Sequence, residues 1–407
     1  MKARRIALLA QADNWHTLRW ARWLADEGNT VAVFSDTSPR EGMNYEKITI
    51  VGPQWNLFSK VYAFKIRGGT YANNWHKWRA YAHQVMDFKP AIAHAMEARA
   101  YGPILPHLPH VPRVLTPWGT DMRCLDEKDL APQRPEESAL VRESVDAADI
   151  IATNAPGKEL LWQRISGLPA DRFELFPWGF DEAIFRYDAN DNGTRGRKLL
   201  GVDTSAKILL SPRLAQNNYH IQEIIQAWVD LREVRSDLIL VILRAGADAD
   251  TWAALNSRKD ELRASGIHFV NNYFTQEDMA SIYRASSGFV MFPDDDLLAQ
   301  SLLEGTACGA IPVVRRQDCY DTLISDWDAP NSNKPRAFIS HRSGDLPADI
   351  RRTIARWLKS SERELQPVRA SNSEYVSREY QWKECARRML DVYTHAEENF
   401  ARRTNSK

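Results

Sequence analysis

The chain is poor in the residues that staple small folds. Its four cysteines (Cys124, Cys308, Cys319, Cys385) are widely scattered, with no C-x-x-C pair. That spacing excludes a zinc ribbon and a disulfide framework, and a reducing cytoplasm is the expected setting. No apolar run approaches the roughly 18 residues of a membrane span. The opening Met1-Lys2-Ala3-Arg4-Arg5 is positive, yet the apolar stretch over residues 6–10 is too short for a signal-peptide core. It reads as a first strand. Net charge is absent as well, since 53 basic side chains balance 53 acidic ones. Wholesale nucleic-acid binding needs a basic domain, so no nucleic-acid partner is expected. There is no internal repeat and no low-complexity block.

What remains is a globular composition, 44% apolar and 26% charged, over 407 residues. That length exceeds one ordinary core, so two domains are expected. Strand-like runs fall at 5–9, 31–34, 48–51, 91–94, 113–116, 150–153 and 174–176, with helical periodicity between several of them. The alternation predicts βαβ units, parallel sheets and an α/β protein. It breaks where Asp188-Ala189-Asn190-Asp191-Asn192-Gly193-Thr194 has linker composition. It restarts with strands at 207–211, 238–243, 267–270, 288–292 and 311–314, and helices near 220–232, 253–264 and 276–284. The expected organisation is an N-terminal domain over 1–185, a linker near 185–205 and a C-terminal domain over 205–365. A helix over 370–396 is expected to pack back on the first domain. Both domains read as Rossmann-like and doubly wound, with carboxyl strand ends facing across a cleft.

The densest chemistry lies in residues 294–314. Pro293 ends an apolar strand, an acidic loop follows, and Ser301 stands where a short helix would begin. Glu304 comes three residues later, the spacing of a capping box. A loop entering a helix N-terminus at the carboxyl end of a parallel strand suits a phosphorylated ligand. Asp296 and Glu304 flank that turn. Amides and helix dipole would take a diphosphate, and carboxylates would take hydroxyls, so the pattern suits a sugar nucleotide. The plainer reading of Glu304 is a helix cap. Asp294-Asp295-Asp296 also contains a D-x-D, but no further ligand residues cluster nearby and no metal is expected.

Several separate segments, in order, resemble the GT-B glycosyltransferases, especially the retaining family-four nucleotide-sugar transferases. They are His16-Thr17-Leu18-Arg19-Trp20, Lys89-Pro90-Ala91-Ile92-Ala93-His94 and Thr116-Pro117-Trp118-Gly119-Thr120-Asp121. Phe176-Pro177-Trp178-Gly179-Phe180-Asp181 with Phe185, Ser211-Pro212-Arg213-Leu214 and the 301–314 segment continue the series. Tyr380-Gln381-Trp382-Lys383-Glu384 closes it. The resemblance implies a GT-B fold and transfer of a sugar from a nucleotide diphosphate with retention, of hexosyltransferase type. No cofactor and no required metal are implied. Glu304 matches the acid that holds the donor ribose, and Asp296 matches the acid facing the transferred sugar. Arg213 matches the diphosphate arginine, a role suited to a fixed, always-charged fork. The amides of Ser301 and Leu302 would cap the same phosphates. His16 and Asp121 are catalytic candidates, while His94, Glu97 and Trp118 are acceptor-side candidates.

Three departures from the family pattern stand out. Its lysine five positions after the arginine is Asn218 here, with Arg244 as a candidate replacement. The second histidine of its "HAH" is Met96, with Glu97 or His94 as substitutes. The first loop, 10–16, lacks the family's glycine pair. These departures motivate two alternatives: a non-catalytic GT-B subunit that binds a partner transferase or glycan, and a sugar-nucleotide epimerase. One other stretch has no acid from residue 48 to 86 and interleaves cations with aromatics over 55–81. It fits an anionic membrane surface, an anionic acceptor or single-stranded nucleic acid, against a plain alternative of core aromatics and solvated cations. Many acceptors of the family it resembles are lipid-linked, so the resemblance implies a glycan or lipid-linked acceptor in cell-surface polysaccharide or glycolipid synthesis. The expected location is cytoplasmic, peripheral on the inner membrane face.

Overall fold

The computed structural model describes residues 3–52, 75–119, 121–126, 135–203, 206–232, 237–243, 249–329, 332–341 and 343–405. Arg244 and residues 53–74 lie outside them, so most of the basic aromatic stretch does too. Of its remainder, Trp78 and Tyr81 are buried in the core, with the Trp78 indole donating to the Ala100 carbonyl (3.2 Å). Those two rings pack inside and are not offered to a membrane. Among the described residues no helix is long and apolar enough to cross one.

The chain divides into two compact units, residues 1–177 with 386–407, and residues 178–385. Unit 1 holds β1 (Arg5–Leu9), α1 (Trp15–Asp26), β2 (Thr30–Phe34), β3 (Thr49–Val51), α2 (Trp75–Phe88) and β4 (Ile92–Met96). It continues with β5 (Arg113–Thr116), α3 (Pro135–Ala147), β6 (Ile150–Thr153), α4 (Lys158–Ser166) and β7 (Phe173–Leu175). The strands form one parallel sheet in the order β3-β2-β1-β4-β5-β6-β7. Its central strands are near-continuous apolar runs because helices cover both faces. Residues 6–9 of β1 are wholly buried, and Trp20 of α1 packs edge-on against Phe176.

Unit 2 repeats the plan. Its elements are α5 (Thr194–Leu200), β8 (Lys207–Ser211), α6 (Ile221–Arg232), β9 (Leu238–Leu243), α7 (Ala249–Ser257), α8 (Lys259–Ala264) and β10 (Ile267–Val270). There follow α9 (Gln276–Ala285), β11 (Gly288–Met291), α10 (Gln300–Ala307), β12 (Ile311–Val314), β13 (Ser325–Asp326), β14 (Arg336–Ile339), α11 (Leu346–Lys359) and α12 (Glu362–Glu379). The sheet order is β10-β9-β8-β11-β12-β14-β13, again parallel. Each unit is Rossmann-like, and the strand order reverses between β1 and β4 in unit 1 and between β8 and β11 in unit 2. Open α/β sheets bind ligands at the carboxyl strand ends beside such a reversal.

Three sequence expectations need correction. Residues 185–205 are not a linker. Unit 2 begins at Trp178, and α5 lies against α9 so closely that a Cβ on Gly196 would stand 2.1 Å from the Ser281 carbonyl oxygen. The polar run 188–194 is a turn that feeds this packing, with Arg284 paired to Asp191 (2.6 Å). Unit 2 also extends past residue 365, to Cys385. The helical tail is two helices, α12 and α13 (Trp382–Asn405). They break at Tyr380, whose carbonyl accepts from the Phe180 amide while the Trp382 amide donates to the Phe180 carbonyl. Residues 386–405 of α13 belong to unit 1, where Asn399 donates to the Asp149 and Asp171 carbonyls and Arg4 pairs with Glu397 (3.0 Å).

Candidate active site

In unit 2 the strand reversal places the loops after β8 and β11 side by side. Arg213, two residues past β8, reaches toward the loop after β11. Its guanidinium donates to the Asp296 carboxylate (3.3 Å), the Tyr219 hydroxyl (2.8 Å) and Ser301 Oγ (3.4 Å), and it lies 4.3 Å from the Tyr219 ring centroid. The same loops are joined again where the Asp294 amide donates to the Asn218 carbonyl (3.0 Å). Arg213 is mostly buried; burial opposes its charge, but Asp296, Tyr219 and Tyr320 outweigh that and hold its pKa above the usual value.

Asp296 is 6% exposed. It accepts from the Tyr320 hydroxyl (2.7 Å) and the Leu297 amide (3.0 Å) as well as from Arg213. Burial pushes its carboxyl upward, and Arg213, Tyr320 and Leu297 act the other way. A guanidinium cannot shed its proton in a protein. A neutral Asp296 would leave that buried cation without its counter-charge, so the pair is ionic. The sequence expectation that Asp296 faces the transferred sugar is set beside these contacts within the protein. Its oxygens take donors from Arg213, Tyr320 and Leu297, and the ion pair holds the guanidinium in place.

The α10 N-terminus also differs from expectation. The helix begins at Gln300 with Ala299 as a cap that offers no side chain. Ser301 is thus inside the first turn and makes no capping box with Glu304. Its hydroxyl accepts from Arg213 and contacts the Met291 sulfur (3.2 Å). The Leu302 amide donates to the Ala299 carbonyl (3.0 Å). Glu304 is half-buried one turn on, the spacing that shares a helix face with Ser301. Gly305 follows because a Cβ there would come within 2.8 Å of the Phe289 ring, and its absence lets α10 lie close on β11. Asn218 is half-buried beside a pocket of about 570 Å³ that also meets Asn217, His220, Thr251 and Asp294.

Sequence reasoning missed four residues here. Tyr219 and Tyr320 ligate the Arg213–Asp296 pair. His220, held at φ +52°, bonds Asp294 (2.8 Å), which also pairs with Arg315 (2.9 Å). Arg315 follows β12 and Tyr320 lies in the next turn. The carboxyl-end rule alone flags both positions.

In unit 1 the carboxyl strand ends gather His16, Glu97, Trp118 and Asp121. His16 lies edge-on to Trp118, with ring centroids 6.2 Å apart. Burial, with the Arg19 charge, lowers the His16 pKa to about 3, so the ring is neutral. Asp121, a catalytic candidate in sequence, is 1% exposed. It accepts from the Ala98 amide (2.7 Å), the Trp118 amide (2.9 Å) and Arg99 Nε (3.0 Å). It anchors the strand-end loops and has no free face for a substrate. His94 is likewise no acceptor contact. Its nitrogens meet Tyr393 OH (3.0 Å) and Thr116 Oγ1 (2.8 Å) in the core, where burial lowers its pKa to about 3. Glu97 is half-buried at the end of β4, and burial with Asp121 and Asp36 raises its carboxyl to about 7 against the pull of Arg99.

Two such Rossmann-like units in one chain have the GT-B glycosyltransferase fold. Residues 5–155, most of unit 1, match the glycosyl transferase 4-like family. Sucrose-phosphate synthase from Thermosynechococcus elongatus is similar at TM-score 0.74 and 15% identity, over 96% of this chain and 98% of that one. The lipopolysaccharide-biosynthesis glycosyltransferase WaaG is similar at 0.73 and 12%, over 96% and 99%. Anabaena HepE in complex with UDP-glucose is similar at 0.70 and 11%, over 96% and 99%. No curated protein sequence matches the chain.

Proposed function

We propose that the protein is a retaining glycosyltransferase that moves a hexosyl group from a nucleoside diphosphate to an acceptor hydroxyl. Unit 2 binds the donor and unit 1 the acceptor. The observation that carries this reading is Arg213, charged, mostly buried and braced by Asp296, Tyr219 and Ser301 at the α10 N-terminus. A braced guanidinium beside a helix N-terminus stabilises the charge that develops on a departing diphosphate. In this reading Arg213 supplies the phosphate charge and the transfer needs no resident metal. Glu304 holds the donor ribose, with Asn218 and Arg244 as further donor contacts. HepE, one of the similar structures, was solved with UDP-glucose, which makes a uridine diphosphate sugar the first donor to try. A glycan or lipid-linked acceptor at the inner membrane face is part of the same proposal.

No observation favours the non-catalytic subunit or the epimerase. The test is calorimetry against uridine, guanosine, adenosine and cytidine diphosphate sugars, with product analysis by NMR. The expected result is one preferred base and an anomeric configuration kept in the product. Loss of one charge-assisted phosphate contact in Arg213→Ala weakens binding by about 1.5–3 kcal/mol. Inverted product refutes retention. Unchanged affinity in Arg213→Ala refutes the site.

A further inference from the structure

A second pocket of about 360 Å³ lies at the amino ends of β8 and β11, the end of the unit 2 sheet opposite Arg213. Every residue that lines it belongs to unit 2. Its walls come from the turn over 187–192, α5, the first residue of β8, the end of α9 and the first two turns of α12. Close contacts fix this frame. Gln366 of α12 donates to the Tyr187 hydroxyl (2.7 Å), and Tyr187 lies so near Gly309 that a Cβ there would stand 2.5 Å from its ring. Small-molecule sites span about 300–1,000 Å³, so the pocket has room for a ligand.

Four cations line this pocket, Arg197, Lys207, Arg284 and Arg369, and all four are buried or half-buried. Three carboxylates share it, and two of them, Asp188 and Glu362, are exposed to solvent. Arg284 pairs with Asp191 (2.6 Å) and Arg369 with Glu362 (2.9 Å). Among the described residues Arg197 donates only to carbonyls, those of Asp203 (2.9 Å) and Ala206 (2.7 Å). Lys207 Nζ donates to the Ser360 carbonyl (3.4 Å) and lies 4.4 Å from the Trp357 ring centroid. A carbonyl accepts a hydrogen bond but cancels no charge. Arg369 is 8% exposed, and its Nε has no hydrogen-bond partner. A buried donor left in that state is costly and calls for an explanation. The wall is rich in donors and positive charge, while its compensating carboxylates stand mostly in solvent, where screening weakens them.

We propose that this pocket binds a small phosphate monoester whose body carries hydroxyls. A phosphate offers charge and fixed acceptor oxygens that match guanidinium forks. Arg197, Lys207 and Arg369 supply donors to it. Inorganic phosphate alone would leave much of the space unfilled, and the side chains of Asn192, Ser287 and Gln366 on the same wall suit hydroxyls. The site is independent of the transferase reading, since it lies at the other end of the sheet from Arg213 and binding there requires no sugar transfer. A ligand held between α5, β8 and α12 also stabilises unit 2, because it binds the folded state alone.

The test is calorimetry of the full chain with ribose 5-phosphate, inorganic phosphate and unphosphorylated ribose as probes. Ribose 5-phosphate is expected to bind most tightly, inorganic phosphate more weakly and ribose not at all. Affinity for the ester should rise as pH passes about 6, where a phosphate monoester gains its second charge. Arg197→Gln and Lys207→Gln should each weaken it about 10–100-fold, the effect of losing one charge-assisted contact. Asn192→Asp probes the same wall without disturbing the fold. Its Oδ1 still accepts from the Thr194 amide (3.0 Å) and hydroxyl (2.6 Å), while the added charge repels the ligand. Binding should then fall about 2–5-fold with the thermal midpoint kept. Lys198→Gln, which removes an exposed cation of α5 outside the pocket, should leave affinity unchanged, and so should Arg213→Ala. Binding that survives all three pocket variants overturns the proposal, as does binding lost in Arg213→Ala but kept in Arg197→Gln. Ribose or inorganic phosphate bound as tightly as the ester, or no binding of the ester at millimolar concentration, overturns it too.

Discussion

Cutting the Arg213–Asp296 pair from either side should destabilise unit 2 by unequal routes. Arg213→Met leaves Asp296 buried with only the Tyr320 hydroxyl and the Leu297 amide as donors. Removing one partner of a buried pair costs about 3–5 kcal/mol, because the remaining charge is uncompensated. Asp296 has an escape that Arg213 lacks, since burial already raises its pKa and it can take up a proton. The cost of Arg213→Met is then pH-dependent, and its sign follows from linkage. The folded carboxyl binds a proton more tightly than the unfolded one, whose pKa is about 3.9. Between those two values the folded state holds a proton that the unfolded state has released, so stability falls as pH rises and levels off above the folded pKa. Asp296→Asn instead strands a guanidinium that cannot discharge, so its cost stays flat from pH 5 to 8. The double variant carries neither charge, and its cost should fall short of the sum by about 1–3 kcal/mol. Hydrogen exchange of amides in β8 and β11 reads the opening energy of unit 2 without requiring a ligand. Strict additivity, or an Arg213→Met cost that does not grow with pH, would show that the two side chains are neighbours without being a coupled pair.

Two further outcomes test the frame around the sites. Gly196→Ala sets a Cβ 2.1 Å from the Ser281 carbonyl oxygen and 2.7 Å from the Ala285 Cβ, so α5 must move off α9. Overpacking of that kind costs about 1–3 kcal/mol, and an unchanged thermal midpoint would mean that residues 185–205 are not packed into unit 2. His16 and His94 are both lowered to about 3 by burial, so the folded state prefers them neutral. Unit 1 should lose stability as pH falls below about 6.5 toward 3, by about 1.4 kcal/mol per pH unit for each histidine. Hydrogen exchange in β1 and β4 measures this, and His94→Gln should remove one share of the slope. A slope untouched by that change would place the acid sensitivity elsewhere.

The fold was largely legible because parallel strands buried on both faces leave continuous apolar runs. The run over residues 238–243 is β9 from end to end, and that over 311–314 is β12. Two short strands escaped notice. β13 is two polar residues, Ser325 and Asp326, and exists only because β14 lies beside it. The break between α12 and α13 was equally hidden, since what ends α12 is the distant Phe180. Candidate residues could be found by the strand-end rule, and Arg213, Asp296, His16 and Glu97 all stand where it points. Their roles could not, because a role depends on which distant group takes up each polar atom. Tyr320 claims Asp296 from 24 positions away, and Tyr393 claims His94 from 299.

That distinction separates the two kinds of carboxylate in this chain. Asp296 and Asp121 each sit at a strand end and each have their oxygens filled by donors from the protein, so each holds something else in place. Glu97 is a different case, half-buried at the end of β4. Its φ is +86°, in the left-handed region. A glycine would fit that backbone better, and among the described residues no hydrogen bond reaches the carboxyl. Backbone bonds hold it there, from its own amide to the Thr116 carbonyl and from the Tyr101 and Gly102 amides to its carbonyl. Glu97→Gly should therefore raise the thermal midpoint, since glycine takes positive φ without strain, and an unchanged or lower midpoint refutes the reasoning.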